Sequence, residues 1–100
     1  MIDQGPWYKI KKLTINPNQS ISLQYHTHRS ETWAITQGCG EVILDDKKFK
    51  VKRGETFVVK PLSVHKITAI SKEPVIAIEV QLGEITDEGD IVRLGGGVQV

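Results

Sequence analysis

Apolar residues occur along this chain in short segments that are rich in β-branched side chains. Turn-forming residues separate the segments, for example Asn-Pro-Asn at 16–18 and Gly-Cys-Gly at 38–40. No segment has a helical apolar period over enough residues for a substantial helix. The candidate strands are residues 8–15, 20–28, 31–37, 40–45, 48–52, 55–60, 64–70, 74–82 and 91–94. About nine short strands at this spacing predict an all-β sandwich or barrel.

The alternation within 20–28 assigns side chains to two faces, because residues i and i+2 of a strand project to the same side. One face is expected to be polar and the other to be an apolar outer surface: Ser22, Gln24, His26 and His28 against Ile21, Leu23 and Tyr25. Two of the three histidines in the chain would then point into one small volume.

The segment 75–78 is apolar on both faces, as expected of a strand buried between two layers. Its continuation places Glu79 and Gln81 on the same side as Val75. Polar side chains on a buried face need partners. Either a polar cavity inside a barrel or local contact with solvent would supply them.

The composition is that of an ordinary globular protein, with 39% apolar and 25% charged residues. At 100 residues we expect one domain, with the barrel at about 8–94 and a flexible tail at 95–100. A formal net charge of +1 gives no electrostatic reason to expect nucleic acid or a membrane surface as a partner. The lysine-rich stretch 47–53 is expected to be a solvated hairpin.

The single cysteine, Cys39, excludes an intramolecular disulfide and fits a reducing compartment. No segment resembles a signal peptide or a membrane span. The predicted location is therefore the cytoplasm.

The histidines are the main chemical signal, because neutral imidazole is the commonest protein ligand for a transition metal. We expect one divalent metal ion, and zinc, manganese, iron, nickel and cobalt all suit imidazole and carboxylate donors. The candidate ligands are His26, His28, His65 and Glu31, with Gln24 or Gln81 as replacements. The alternative is that His26 and His28 lie on a solvated strand face.

Two motifs support the metal interpretation. The first is His-x-His-x-x-Glu, beginning at His26 and followed by Gly38; the second begins at Gly54 and ends in a proline turn and His65. Together they resemble the signature of the cupin superfamily, which implies a double-stranded β-helix, or jelly-roll barrel, with one divalent metal inside. The spacing from His28 to Glu31 is shorter than usual in cupins, so Glu31 is either a ligand or a free base.

Within the cupins, the segment SLQYHTHRSETW at 22–33 resembles the phosphomannose isomerase domain of the type II bifunctional enzymes. Three further segments match in order: GPWYK at 5–9, IEVQLG at 78–83 and DIVR at 90–93. Two features of that family are missing from this sequence. One is the arginine-containing Asp-Arg-Tyr-Gly-Arg tail, and the other is the guanylyltransferase domain.

The resemblance implies an isomerase acting on a phosphosugar, mannose 6-phosphate to fructose 6-phosphate. Glu31, if it is not a ligand, would transfer the proton between the two sugar carbons, and Arg29 or Lys66 would bind the phosphate. Gln24 and Gln81 are further candidates for substrate contacts. Strict alternation nevertheless favours surface positions for Arg29 and Lys66, since each follows a predicted ligand in sequence.

Two other functions remain open. A non-catalytic cupin that binds a metal and a sugar fits the missing arginine tail, and a small iron-dependent dioxygenase needs only the same fold and an open metal site. In each case we expect a homodimer, because the apolar outer face around Leu23 could be covered by a second subunit. Trp33 is expected to pack in the core.

Overall fold

The computed structural model describes residues 2–83 and 91–95. These residues form ten strands and confirm the all-β prediction: β1 Asp3–Gly5, β2 Tyr8–Ile15, β3 Gln24–His26, β4 Arg29–Gln37, β5 Cys39–Leu44, β6 Lys47–Lys52, β7 Thr56–Val59, β8 His65–Ala69, β9 Val75–Gly83 and β10 Ile91–Arg93. None of the described residues belongs to a helix that is long and apolar enough to cross a membrane. The predicted flexible tail, apart from Gly95, lies outside the described residues.

The strands form two five-stranded antiparallel sheets. The order in the first sheet is β1-β2-β9-β4-β7, and in the second it is β10-β3-β8-β5-β6. The short turn at residues 53–55 joins β6 to β7, the edge strands of the two sheets. That turn closes one side of the barrel, so the other edge strands, β1 and β10, lie toward the opposite side, with β2 next to β1.

The interior is apolar at one end and polar at the other. Along β9, Val75 and Ala77 are fully buried with the core, and they are followed on the same face by buried Glu79 and Gln81. The apolar end is filled by side chains from both sheets: Leu13, Ile15, Ile21, Trp33, Ile35, Val42, Val51, Phe57, Val59, Ile67 and Ala69. The expectation that Trp33 packs in the core is confirmed, since it stacks on Phe57 with ring centroids 5.5 Å apart.

The prediction of one continuous strand over 20–28 is wrong. Only Gln24–His26 is a regular strand, with a bend at Leu23 and a second bend at residues 27–28. The first bend interrupts the alternation, so that Ile21 and Ser22 are both buried. Ile21 belongs to the core and is not part of an outer apolar face. The homodimer that was inferred partly from that face stays a prediction.

Gly83 allows β9 to pass close to the start of β4. Its φ of +150° is a conformation that L side chains rarely adopt, and an added Cβ would lie 2.4 Å from the carbonyl oxygen of His28. Gly83 is paired with Arg29 in the β4–β9 register. This close approach fixes the position at which β4 begins, and therefore which of its side chains face the interior.

Candidate metal centre

Three side chains from three strands meet inside the polar end of the barrel. His26 ends β3, Glu31 lies near the start of β4, and His65 begins β8. All three residues are at most 2% exposed, and one ligand atom from each lies within 4.8 Å of the other two. Both sheets therefore contribute to the group, which we call the His–Glu–His cluster.

Glu31 bridges the two imidazoles. Its Oε2 lies 2.9 Å from His26 Nε2, and its Oε1 lies 3.5 Å from His65 Nε2. Burial raises the pKa of the Glu31 carboxyl, but hydrogen bonds and charges from His26 and His65 outweigh burial and hold that pKa well below its usual range. Glu31 is therefore a buried anion between two imidazoles.

The expectation that His26 and His28 share a face is wrong. His28 is exposed, and its Nδ1 lies 2.7 Å from the hydroxyl oxygen of Thr27. The bend at residues 27–28 ends β3 immediately after His26, so the i, i+2 relationship of a strand does not apply. The structure does not bring His28 to the cluster.

The same bend reverses the expectation for Arg29. Strict alternation favoured a surface position, but β4 begins at Arg29 and places it on the same face as Glu31, with 2% exposure. Its Nε and Nη2 donate to Glu31 Oε2 over 3.3 and 3.1 Å. Arg29 therefore lies beside the cluster and orients the Glu31 carboxylate.

Lys66 is placed as the alternation predicted. It follows His65 on β8, is partly buried, and pairs with Ile43 of β5 on the opposite face of the sheet from His65. Its side chain leaves the barrel wall on the outside. The structure therefore does not bring Lys66 to the cluster.

The polar face predicted on β9 lies inside the barrel and not against solvent. Gln81 is paired with Glu31, and Glu79 with Trp33. Gln81 donates a hydrogen bond from Nε2 to Glu79 Oε1. Burial, followed by the charge of Glu31, raises the pKa of Glu79 to about 7. Glu79 was missing from the predicted site residues. Its position two residues before Gln81, on the same face of β9, was the signal that could have identified it.

The donors of the cluster fit a metal ion. His65 Nδ1 lies 3.2 Å from the carbonyl oxygen of Ser63, which only accepts, so that nitrogen carries the proton. In a neutral ring, Nε2 then presents its lone pair to the Glu31 anion, and two facing acceptors need a proton or a cation between them. Metal-binding histidines usually donate their other ring nitrogen in this way.

Several other buried polar atoms face the interior without a partner. Within residues 2–83 and 91–95, His26 Nδ1, His65 Nε2, and the side-chain oxygens of Gln24 and Gln81 have no hydrogen-bond partner. Buried polar atoms of this kind are costly unless a ligand or water satisfies them. The interior can therefore hold one cation on two imidazoles and a carboxylate, beside two amide oxygens that accept hydrogen bonds.

Comparison with solved structures defines the class of the fold. A protein from Klebsiella pneumoniae with a double-stranded β-helix domain superposes with a TM-score of 0.83 at 20% identity, covering 95% of this chain and 81% of that one. Bacillus subtilis oxalate decarboxylase, described with Mn(II) centres, superposes with a TM-score of 0.79 at 17% identity, covering 88% and 24%. The chain has the double-stranded β-helix fold of the cupins, which confirms the fold prediction.

Sequence comparison gives the family within that class. The family model described as mannose-6-phosphate isomerase C-terminal matches residues 1–96, and the chain belongs to this family. The alginate biosynthesis protein AlgA of Pseudomonas aeruginosa is 37% identical over 93 residues, which are 93% of this chain and 19% of AlgA. The chain thus spans about a fifth of the length of the curated relatives it matches.

Proposed function

We propose that this domain is a metal-dependent mannose-6-phosphate isomerase, which interconverts mannose 6-phosphate and fructose 6-phosphate. One observation carries the proposal: a chain of the mannose-6-phosphate isomerase C-terminal family has a buried His–Glu–His cluster with unpartnered donor atoms. His26, Glu31 and His65 would hold one divalent ion. When bound, that ion would act as a Lewis acid toward the C1 and C2 oxygens of the sugar.

The surrounding residues would hold and orient the sugar. The buried amide oxygens of Gln24 and Gln81 have no partner in the described part of the chain, and they would accept hydrogen bonds from sugar hydroxyls. Arg29 would position Glu31, because two of its nitrogens donate to one carboxylate oxygen. His28 and Lys66, which lie away from the cluster, have no part in this proposal.

Isomerisation requires that a proton moves between C1 and C2, and a positioned side chain normally carries it. Glu31 is engaged by both imidazoles and by Arg29, which leaves little freedom for this role. Glu79 is the other buried carboxyl on the inner face in the described residues, two positions from Gln81 on β9. We therefore assign the proton transfer to Glu79.

The test compares two histidine substitutions. Protein is purified as the unaltered chain, as His26→Ala and as His28→Ala; each is loaded in turn with zinc, manganese, iron, nickel and cobalt, and metal content and isomerisation are measured. His28→Ala is the matched control, because this histidine is exposed and lies outside the cluster. We expect one equivalent of metal and turnover in the unaltered chain and in His28→Ala, and loss of both in His26→Ala.

Other outcomes separate the remaining functions. Saturable binding of mannose 6-phosphate without turnover by any metal form would contradict the isomerase and support a non-catalytic cupin. Equal metal content in His26→Ala and in the unaltered chain would contradict the assignment of the ligands.

The donor set also favours a second candidate. Two histidines and one carboxylate on an open site are typical of non-haem Fe(II) oxygenases. The iron-loaded protein would then consume oxygen in the presence of a small organic substrate, and the zinc form would not. Oxygen uptake at the rate of the buffer alone would exclude this function.

A further inference from the structure

Two lysines that are not among the predicted site residues face the interior of the barrel. Lys9 and Lys11 are on β2, at every second position before Leu13 and Ile15 of the core, and so on the same face of the strand. In the β2–β9 register, Lys9 is opposite Gln81, and Lys11 is opposite Glu79. Because directly opposed residues of an antiparallel pair share a face, both lysines project from the inner face at the polar end.

The electrostatics of Glu79 show that Lys11 acts on the interior. Burial and the charge of Glu31 raise the pKa of Glu79, and the Lys11 charge opposes them. Lys11 is directly opposite Glu79, whose side chain is buried at 3% exposure, so the two side chains start from neighbouring positions on the inner face. Both lysines are themselves only partly buried, so they lie between the interior and solvent.

A third cation belongs to the same region. Arg93 of β10 is paired with Gln24, whose side chain is buried inside the barrel, so Arg93 projects from the inner face of the other sheet. Arg93 is itself exposed. Since β6 and β7 close the opposite side, the other two edges are β1, which is next to β2, and β10. The three positive charges therefore lie toward the same side of the barrel.

The distance between the lysines and the His–Glu–His cluster suits a ligand with an anionic group at one end and neutral oxygens at the other. β2 is separated from β4 by β9 alone, so the backbone of Lys9 is about 10 Å from that of Glu31, two strand spacings away. A compact ligand can therefore reach the His–Glu–His cluster with hydroxyl or carbonyl oxygens and the lysines with an anionic group. The two cations named by the sequence prediction serve less well: Lys66 faces outward, and Arg29 directs two nitrogens at Glu31.

We propose that Lys9, Lys11 and Arg93 form a subsite for the phosphate group of a phosphorylated sugar, at the β2–β10 side of the barrel. The proposal rests on the proposed function for the position of the sugar itself, but it is a statement about binding and requires no turnover. Three cations from two sheets would enclose a phosphate dianion with charge-assisted hydrogen bonds. The subsite would make the domain selective for a phosphosugar over the free sugar.

The test measures binding by isothermal titration calorimetry of the zinc-loaded protein with mannose 6-phosphate, mannose and inorganic phosphate. We expect mannose 6-phosphate to bind, inorganic phosphate to compete with it, and mannose to bind at least tenfold more weakly. Lys9→Gln, Lys11→Gln and Arg93→Gln should each raise the Kd for mannose 6-phosphate about tenfold, since hydrogen bonds to charged groups contribute on this order. Lys9→Arg and Lys11→Arg should recover most of the loss.

Lys12→Gln and Lys66→Gln are the matched controls, because both lysines lie on the outer side of the barrel wall. Unchanged affinity in all three inner variants, or an equal loss in the controls, would overturn the proposal. If a glutamine variant does not fold, as judged by circular dichroism, the test is competition between inorganic phosphate and mannose 6-phosphate for the unaltered protein. Absence of that competition would overturn the proposed subsite. Phosphate-dependent binding without isomerisation would contradict only the proposed function.

Discussion

Trp33 Nε1 donates a hydrogen bond over 3.0 Å to Glu31 Oε1, the same oxygen that faces His65 Nε2. Both residues are on β4, two positions apart, and both are buried. Trp33 therefore links the apolar core to the cluster: its ring stacks on Phe57, and its nitrogen fixes one oxygen of the bridging carboxylate. In metal sites generally, removing a group that orients a ligand in this way typically lowers metal affinity about 10- to 100-fold.

The first prediction concerns this hydrogen bond. Trp33→Phe keeps an aromatic ring in the core but removes the N–H donor, so Glu31 loses one restraint. We expect metal affinity to fall about tenfold, measured by competition with a chromophoric chelator. Phe57→Leu is the control, because it reduces the same aromatic stack without touching Glu31. An equal fall in both variants would mean that core packing, and not the hydrogen bond, sets the affinity.

The second prediction concerns the buried pair Arg29–Glu31, whose Nη2 and Oε2 are 3.1 Å apart. In the metal-free protein, Arg29→Met removes one charge and leaves the other buried, which typically costs about 3 to 5 kcal/mol of unfolding free energy. The double variant Arg29→Met, Glu31→Gln should lose clearly less than the sum of the two single losses. Urea unfolding of the unaltered chain, the two single variants and the double variant measures the coupling free energy between the two residues. Additive losses would contradict a direct interaction.

The third prediction follows from the Glu79 carboxyl, whose pKa is raised to about 7 by burial and by the Glu31 charge. Between its ordinary pKa of about 4.5 and this raised value, Glu79 is still protonated in the folded state but has lost its proton in the unfolded state. The stability of the metal-free protein should therefore fall as the pH rises from about 4.5 to about 7, by about 3 kcal/mol. Glu79→Gln should flatten this fall, and an unchanged pH profile of thermal unfolding would contradict the raised pKa.

The fourth prediction concerns the approach of β9 to β4. Gly83→Ala places a Cβ 2.4 Å from the carbonyl oxygen of His28 in a backbone conformation that disfavours alanine. We expect a loss of about 2 kcal/mol or more in unfolding free energy. Gly95→Ala is the control, because its Cβ would make only an ordinary contact at 3.5 Å with Leu23. Equal stability of the two variants would show that the backbone near His28 moves freely.

Regular strands were predictable from alternation and turn residues. The bounds of β2 agree with the predicted 8–15, and those of β4 to β9 agree within two residues at each end. These segments contain β-branched side chains, and glycine, proline or aspartate occurs at the turns between them. The short strand β1 was missed, because three residues ending in glycine give no periodic signal.

The errors at the candidate site have one physical cause. Alternation holds only while a strand is continuous, and the bends at Leu23 and at 27–28 each reset it. Those two interruptions account for the burial of Ile21, for the exposure of His28 and for the inward position of Arg29. His26, Glu31 and His65 meet because of the pairing of strands from both sheets, which one sequence does not specify.

Lys9 and Lys11 were overlooked for a different reason. Their position at i, i+2 spacing from Leu13 and Ile15 was visible in the sequence, but lysines on a strand are usually solvated, so the pattern alone gave no reason to select them. The register with Gln81 and Glu79 shows which face they share.

An anomalous difference map from a crystal grown with manganese tests the central claim most directly. We predict one strong peak in the barrel, with His26, Glu31 and His65 as its protein ligands, at about 2.0 to 2.3 Å from their donor atoms. A peak coordinated by His28 instead, or no peak near the cluster at saturating manganese, would contradict the account.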